Sequence, residues 1–107
     1  MKDMVRYGRL LDFYSGVLTQ KQRDVLELYY GSDLTLEEIA QNCGISKQAV
    51  HDSVKSAEGK MNRLEEKLGL LNRRSLLERK LKQILKNLEQ GEVSAAEELL
   101  REIINEF

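Results

Sequence analysis

The sequence predicts an all-α protein in which a helix-turn-helix unit with a long last helix precedes a C-terminal helical hairpin. Apolar residues recur at helical spacing along most of the chain. The 107 residues include no proline, the residue that most strongly interrupts helices, and no run of β-branched residues typical of strands. The segment 36–54, LEEIAQNCGISKQAVHDSV, matches two short helices joined by a tight turn.

Two helices are predicted before this motif. The first is predicted over about Asp3 to Gly16, because aromatic and leucine side chains recur there at spacings of 4, 3 and 4. These side chains are Tyr7, Leu11, Tyr14 and Leu18. Thr19 can cap a second helix, with Gln22 as its partner in a capping box. Residues 30–33, YGSD, are predicted to form a turn.

The motif itself has start and stop signals for both of its helices. Thr35 is an N-cap with Glu38 three residues later, which completes a capping box. Gly44 suits a turn with positive φ, and Ser46 caps the second helix. The predicted core of the motif is Ile39, Ala40, Gly44, Ile45, Val50 and Val54. The alternative is a plain helical hairpin with a glycine turn.

The second helix of the motif is predicted to run from Lys47 to about Gly69. Its apolar residues repeat every seven positions, the pattern of a coiled coil or a long helical hairpin. They are Val50, Val54, Ala57, Met61, Leu64, Leu68 and Leu71. Together with the leucine-rich C-terminal part, this repeat is more apolar surface than one small core buries, which favours a homodimer. The alternative is that the fifth and sixth helices of the same chain cover it.

The C-terminal part, residues 73–107, is predicted to extend a helix-turn-helix domain at residues 1–72. A fifth helix over about Ser75 to Gln90 would end at Gly91. Its predicted buried side chains are Leu77, Leu81, Ile84 and Leu88. A capping box of Ser94 and Glu97 would start the last helix. The predicted apolar face of that helix is Ala96, Leu99, Leu100, Ile103 and Phe107.

Charge is unevenly distributed along the chain. Lys and Arg total 17 against 18 acidic residues, a net charge of −1. Residues 73–86 carry six basic and one acidic side chain, whereas residues 89–107 carry six acidic and one basic. The basic residues are Arg73, Arg74, Arg79, Lys80, Lys82 and Lys86. This run either tracks a phosphate backbone or pairs with the acidic last helix.

The outward face of the second motif helix is the candidate nucleic-acid-binding site. Its residues are Ser46, Lys47, Gln48, His51 and Lys55. Gln48 suits an adenine edge and Lys47 a guanine edge, while Lys55 suits a phosphate. Asp52 has the wrong sign for a surface near phosphates. The alternative is a solvated face on a helix that serves packing alone.

Other functional classes lack a sequence pattern. His51 is the only histidine and Cys43 the only cysteine, so we expect no metal site, no cofactor and no enzymatic activity. Cys43 is predicted to be a half-buried filler in the turn. A single cysteine favours a reducing compartment, and no apolar run is long enough to span a bilayer. We therefore expect a cytoplasmic protein.

Residues 5–72 resemble the small bacterial YlxM-type proteins, whose helix-turn-helix is similar to region 4 of sigma factors. The segments that carry the resemblance are LDFYSGVL at 11–18, TQKQ at 19–22, LYY at 28–30, LEEIA at 36–40, SKQAVHD at 46–52 and EEKLGL at 65–70. His51 stands where a tyrosine is common in the family. Such proteins are usually encoded beside the GTPase of the signal recognition particle (SRP). The resemblance therefore implies a regulator or accessory factor of that targeting pathway.

Three functions follow as expectations. The first is a DNA-binding regulatory protein that uses the second motif helix and takes part in the SRP pathway. The second is an SRP accessory factor that binds SRP RNA or the SRP GTPase through the basic run without reading DNA. The third is a helical adaptor that binds other proteins.

Overall fold

The computed structural model describes residues 2–106, and across them the chain forms six α-helices and no strand. The all-α fold expected from the sequence is confirmed. The helices are α1 (Met4–Tyr14), α2 (Gln20–Leu26), α3 (Leu36–Cys43), α4 (Lys47–Leu68), α5 (Leu70–Glu89) and α6 (Val93–Asn105).

Side-chain caps start four of these helices. The carboxylate of Asp3 accepts the backbone N–H of Arg6 at the start of α1. Thr19 and Thr35 both form the predicted capping boxes, and the Ser46 hydroxyl accepts the N–H of Ala49 in the first turn of α4. Each cap satisfies backbone donors that lack a partner within the helix, which fixes where the helix begins.

The connections between the first helices differ from the sequence prediction. α1 ends at Tyr14 rather than Gly16, and a 3₁₀ turn spans Ser15–Val17. After α2 the chain continues as a π-helical turn over Glu27–Gly31, so two of the four residues predicted to form a turn are helical. The Lys2 ammonium donates to the carbonyls of Tyr29 and Leu34, which ties the start of the chain to the end of this π turn.

The described chain divides into two compact units, the first ending at Leu71 and the second beginning at Asn72. The core of the first unit is formed by buried side chains from α1, the connection before α2, α2, the π turn, α3, α4 and the first turn of α5. They are Leu10, Leu11, Tyr14, Leu18, Val25, Leu26, Tyr30, Ile39, Val50, Val54, Ala57, Met61 and Leu71. Five of these thirteen residues belong to α3 and α4, so both helices of the helix-turn-helix are anchored in this core.

The seven-residue repeat of α4 packs inside the first unit. Val50, Val54, Ala57 and Met61 are at most 3% exposed, and Leu64 is partly buried against the same core. Leu68 departs from the repeat, since it is 50% exposed. The repeat thus packs within one chain up to Leu64 and gives no support to the expected homodimer, which stays a prediction.

The junction between α4 and α5 is a single residue, Gly69, with φ of 64°. The Tyr14 hydroxyl donates to Glu65 Oε1 at 2.8 Å. These two side chains then accept the first backbone N–H groups of α5, from Leu70 and Leu71. α5 therefore begins at Leu70, five residues before the predicted start, because side chains of α1 and α4 replace the missing helical acceptors.

The second unit is a helical hairpin with a small interior. Its buried apolar residues are Ile84, Ala96 and Ile103, with Leu77 and Leu99 partly buried against them. Leu81 and Leu88, predicted to be buried, are 48% and 50% exposed, and Asn87 is buried instead.

The start and the apolar face of α6 also differ from the sequence prediction. The predicted capping box is wrong, because Glu92 is the N-cap residue and Ser94 lies within α6. Leu100 is 42% exposed rather than part of the buried face. Phe107, the last residue predicted for that face, lies outside the described residues.

Candidate nucleic-acid interface

The turn between α3 and α4 has helix-turn-helix geometry. Gly44 adopts φ of 67°, the left-handed conformation that is least costly for glycine. Its N–H and that of Ile45 both donate to the carbonyl of Ala40, which closes the end of α3. Ser46 then starts α4 two residues after the glycine. Cys43, predicted to be half-buried, is exposed at the end of α3.

The predicted core of the motif comes together as expected. Ile39 and Val50 are fully buried, and Val54 is 3% exposed. Ala40 and Ile45 are partly buried against the same core. Because one face of α4 is fixed in this core, the opposite face of its first two turns must point outward.

The residues predicted to bind nucleic acid lie on that outward face. Ser46, Lys47, Gln48, His51 and Lys55 are all exposed. Gln48, His51 and Lys55 follow one another at spacings of three and four, so they form a continuous line along α4. Ser46 and Lys47 lie at the N-terminal end of the helix, where free N–H groups favour an anion.

Acidic side chains contact this line. Lys47 Nζ lies 3.3 Å from Glu37 Oε1 in the first turn of α3. The Gln48 amide donates to Asp52 Oδ1 at 2.8 Å, and His51 Nδ1 lies 3.6 Å from the same oxygen. All of these contacts are exposed, so each contributes little to stability and is readily exchanged for another partner.

The interface is close to electrically neutral. Lys47 and Lys55 are balanced by Glu37 and Asp52 when His51 is uncharged. The sequence analysis identified Asp52 from its position on the helix but missed Glu37. Glu37 lies ten positions before Lys47, and only the turn of the motif brings the two together. The sequence signal that could have identified Glu37 was its position in the first turn of α3, the capped first helix of the motif.

The basic run does not form a single surface. Arg79, Lys82 and Lys86 line the outward side of α5, opposite its buried positions. Arg74 pairs with Glu78 one turn later on the same helix, and within residues 2–106 Lys80 is the only member of the run that forms an ion pair with the acidic segment 89–107, at the residue that follows α6. Its partner there is Glu106. Arg73 is exposed in the first turns of α5. Within residues 2–106 of one chain, the basic run therefore does not pair broadly with the acidic last helix.

The described residues include neither a membrane-spanning helix nor a cluster of metal ligands. None of the helices within residues 2–106 is both long enough and apolar enough to cross a membrane. The same part of the chain contains no group of three or more His, Cys, Asp or Glu side chains that could hold a metal ion.

Comparison with known proteins places the chain in a family. Residues 1–103 match the model of the UPF0122 family, described as "Putative helix-turn-helix protein, YlxM / p13 like". A UPF0122 protein of Desulforamulus reducens is 40% identical over 98 residues, which cover 92% of this chain and 84% of that protein. UPF0122 proteins of Bacillus cereus and Bacillus thuringiensis are each 44% identical over 88 residues, covering 79% of this chain and 80% of their own length.

These matches confirm the resemblance found in the sequence. The family description agrees with the Gly44 turn and with the capped helices on either side of it, and it names a helix-turn-helix protein rather than an enzyme. The chain belongs to the YlxM / p13-like family of helix-turn-helix proteins.

Proposed function

We propose that this protein is a regulatory protein that binds duplex DNA through the outward face of the first two turns of α4. The observation that carries the proposal is the fixed orientation of α4. Val50 and Val54 are buried in the core, so Gln48, His51 and Lys55 project together away from the protein. A helix presented in this way fits the major groove of DNA.

Each side chain on this face has a role that suits its chemistry. The Gln48 amide can donate to and accept from an adenine edge once it leaves Asp52, and Lys47 can reach a guanine edge. Lys55, two turns further along, suits a phosphate. The Ser46 end of α4 adds the positive end of the helix dipole for a second phosphate.

The neutral charge of the face sets the expected strength of binding. In non-specific binding, where Lys47 as well as Lys55 contacts a phosphate instead of a base, two neutralised phosphates would give a slope of about −2 in log K against log salt concentration. Asp52 and Glu37 oppose the phosphates, so non-specific binding is expected to be weak at physiological salt. Specific binding then depends on base contacts made by Lys47, Gln48 and His51.

The test is a fluorescence anisotropy titration of a mixed-sequence DNA duplex at several salt concentrations. The double variant Lys47→Ala/Lys55→Ala should bind more weakly, and the salt slope should shrink in magnitude by about 2. The matched control, Arg79→Ala/Lys82→Ala, removes the same charge from α5 and should leave DNA binding unchanged. A slope that is unaffected in the first variant, or lost in the control, would refute the proposal.

A second candidate function is supported by the outward line of α5. None of Arg79, Lys82 and Lys86 forms an ion pair within residues 2–106, so their charge is available to a phosphate backbone. This favours binding to a folded RNA, and SRP RNA is the one that the resemblance suggests. In the same titration with SRP RNA, the Arg79→Ala/Lys82→Ala variant would then lose binding while Lys47→Ala/Lys55→Ala kept it.

The proposed regulatory role includes participation in the SRP pathway. It rests on the resemblance to YlxM-type proteins, as do the similarity to region 4 of sigma factors and contact with the SRP GTPase. A cytoplasmic location agrees with a nucleic-acid ligand and with a single, exposed Cys43. The RNA titration and a pull-down with purified SRP GTPase are the measurements that bear on this part.

A further inference from the structure

The second unit has an apolar face that no described residue covers. Leu81, Leu85 and Leu88 of α5 are 48%, 59% and 50% exposed. Val93, Leu100 and Ile104 of α6 are 52%, 42% and 66% exposed. Together these six side chains form what we call the hairpin face.

Helix geometry puts all six side chains on the same side of the hairpin. Successive residues of a helix are rotated by about 100° around its axis. In α5 this rotation places the exposed leucines about 40–100° to one side of the buried Ile84. In α6 the exposed residues lie about 60–100° from buried Ile103 in the same sense. The helices run antiparallel, joined by the short connection around Gly91, so an equal rotation in each helix leads to the same side. The hairpin face is therefore continuous across both helices.

The interior of the hairpin buries little apolar surface. Only Ile84, Ala96 and Ile103 are buried apolar residues of the second unit within residues 2–106. Two helices that bury so little are marginal in water, and a unit of this size usually gains stability from further association. A partner on the hairpin face would supply the missing burial.

The size of the face fits a second copy of the same hairpin. Six large side chains, each about half exposed, present on the order of 500 Å² of apolar surface, near the upper end of what a monomer leaves open. Two copies packed face to face would bury about 1,000 Å², the lower range for a specific interface. Four helices would then surround one core, as in a four-helix bundle.

The charges at the edges of the face also suit a second copy. Beside the apolar residues, α5 carries Glu78, Lys82 and Glu89, and α6 carries Glu97 and Arg101. Each edge thus has side chains of both signs, and the exposed pairs that Glu78 makes with Arg74 and Glu97 with Arg101 are readily exchanged. In a two-fold dimer, where the same patch meets itself, either edge can meet an edge of the partner with opposite charges in contact. A partner whose surface carries charges of only one sign would meet like charges along both edges.

We propose that the hairpin face is the dimer interface of this protein, with α5 and α6 of two copies forming an antiparallel four-helix bundle. The repeat of α4 takes no part, because it is buried within the first unit. The inference does not depend on the proposed DNA-binding function, since the two surfaces share no residue.

The test is sedimentation equilibrium of the full chain and of single variants. The parent protein should sediment as a dimer in the micromolar range. In the dimer, Leu85→Glu or Ile104→Glu would bury two carboxylates, one from each copy. Each substitution should therefore raise the dimer dissociation constant roughly a hundredfold. Ser94→Glu adds the same charge on the outward side of α6 and should leave the dimer intact. A monomeric parent, or a Leu85→Glu variant that stays dimeric, would overturn the proposal.

A second measurement does not require any variant to fold. Amide hydrogen exchange of the parent protein is followed at high and at low protein concentration. The proposal expects faster exchange in α5 and α6 on dilution, with α1 to α4 unchanged, because only the second unit loses its partner. Exchange in α5 and α6 that is the same at both concentrations would contradict it.

Discussion

The two units of this chain are built from similar residues and differ in how they bury them. The first unit packs thirteen buried side chains into one core, and four of them belong to α4. The second has three such side chains between two helices. Leucine and isoleucine at helical spacing occur in both units, yet six of the ten in the second unit are exposed within residues 2–106. The comparison teaches that helical periodicity predicts which face is apolar, whereas burial of that face depends on a partner.

The largest expected difference between the units comes from removing core side chains. Met61 is fully buried in the first unit, so Met61→Ala should lower the free energy of unfolding by about 2–5 kcal/mol. Leu76 of α5 is 45% exposed and lies outside the hairpin face, so Leu76→Ala should cost less than about 1 kcal/mol. Urea denaturation followed by circular dichroism measures both. Equal losses of unfolding free energy in the two variants would mean that side chains of the second unit contribute as much to stability as the core of the first.

A smaller effect is expected at the α4–α5 junction. Tyr14→Phe removes the donor to Glu65 and the acceptor for the Leu70 N–H, which should cost about 1–3 kcal/mol. In the matched substitution Tyr29→Phe, the hydroxyl lost makes no hydrogen bond that bears on this junction. Thermal unfolding of the two variants gives the comparison, and a Tyr14→Phe variant as stable as the parent would show that the junction is held by Gly69 alone.

The same junction predicts a pH dependence. Burial, together with the hydrogen bond to Glu65, raises the pKa of Tyr14, and burial likewise raises the pKa of Tyr30. The unfolded chain releases these protons first, near pH 10. The stabilisation is therefore fully present below that pH and is lost as the pH rises through the folded-state values. Tyr14→Phe should make the alkaline loss of stability shallower, and an equally steep loss would contradict the assignment.

The smallest effect compares two turn glycines. Gly44 ends α3 and Gly91 lies in the hairpin connection, with φ of 67° and 75° and open space where a Cβ would lie. Alanine at either position should cost about 1 kcal/mol through backbone strain alone, and asparagine less. If the units unfold separately, Gly44→Ala will shift the unfolding of α1 to α4 and Gly91→Ala that of α5 and α6. Hydrogen exchange resolves the two, and identical effects on all helices would indicate one cooperative unit.

Much of the first unit could be predicted because its signals are local. The capping boxes of Thr19 and Thr35, the left-handed Gly44 and the Ser46 cap each depend on residues within four positions. The second unit was predicted less well. The start of α5 depends on Glu65, six positions before Leu71, and on Tyr14, 56 positions before Leu70, which accept its first N–H groups.

The candidate site shows the same division. Helical spacing predicted which side chains of α4 point outward, because Val50 and Val54 had to face the core. The electrostatic surroundings did not follow, since Glu37 reaches Lys47 only through the turn of the motif. The π turn after α2 had no sequence signal, because the interaction that holds its end comes from Lys2 at the start of the chain.

The most direct test of the account is an NMR titration of the labelled protein with a DNA duplex at low salt. The account predicts that backbone amide shifts change along residues 46–55, the outward face of α4, while those of Arg79, Lys82 and Lys86 stay in place. Shifts confined to α5, or no shifts at all, would contradict it and leave the helix-turn-helix as a packing scaffold.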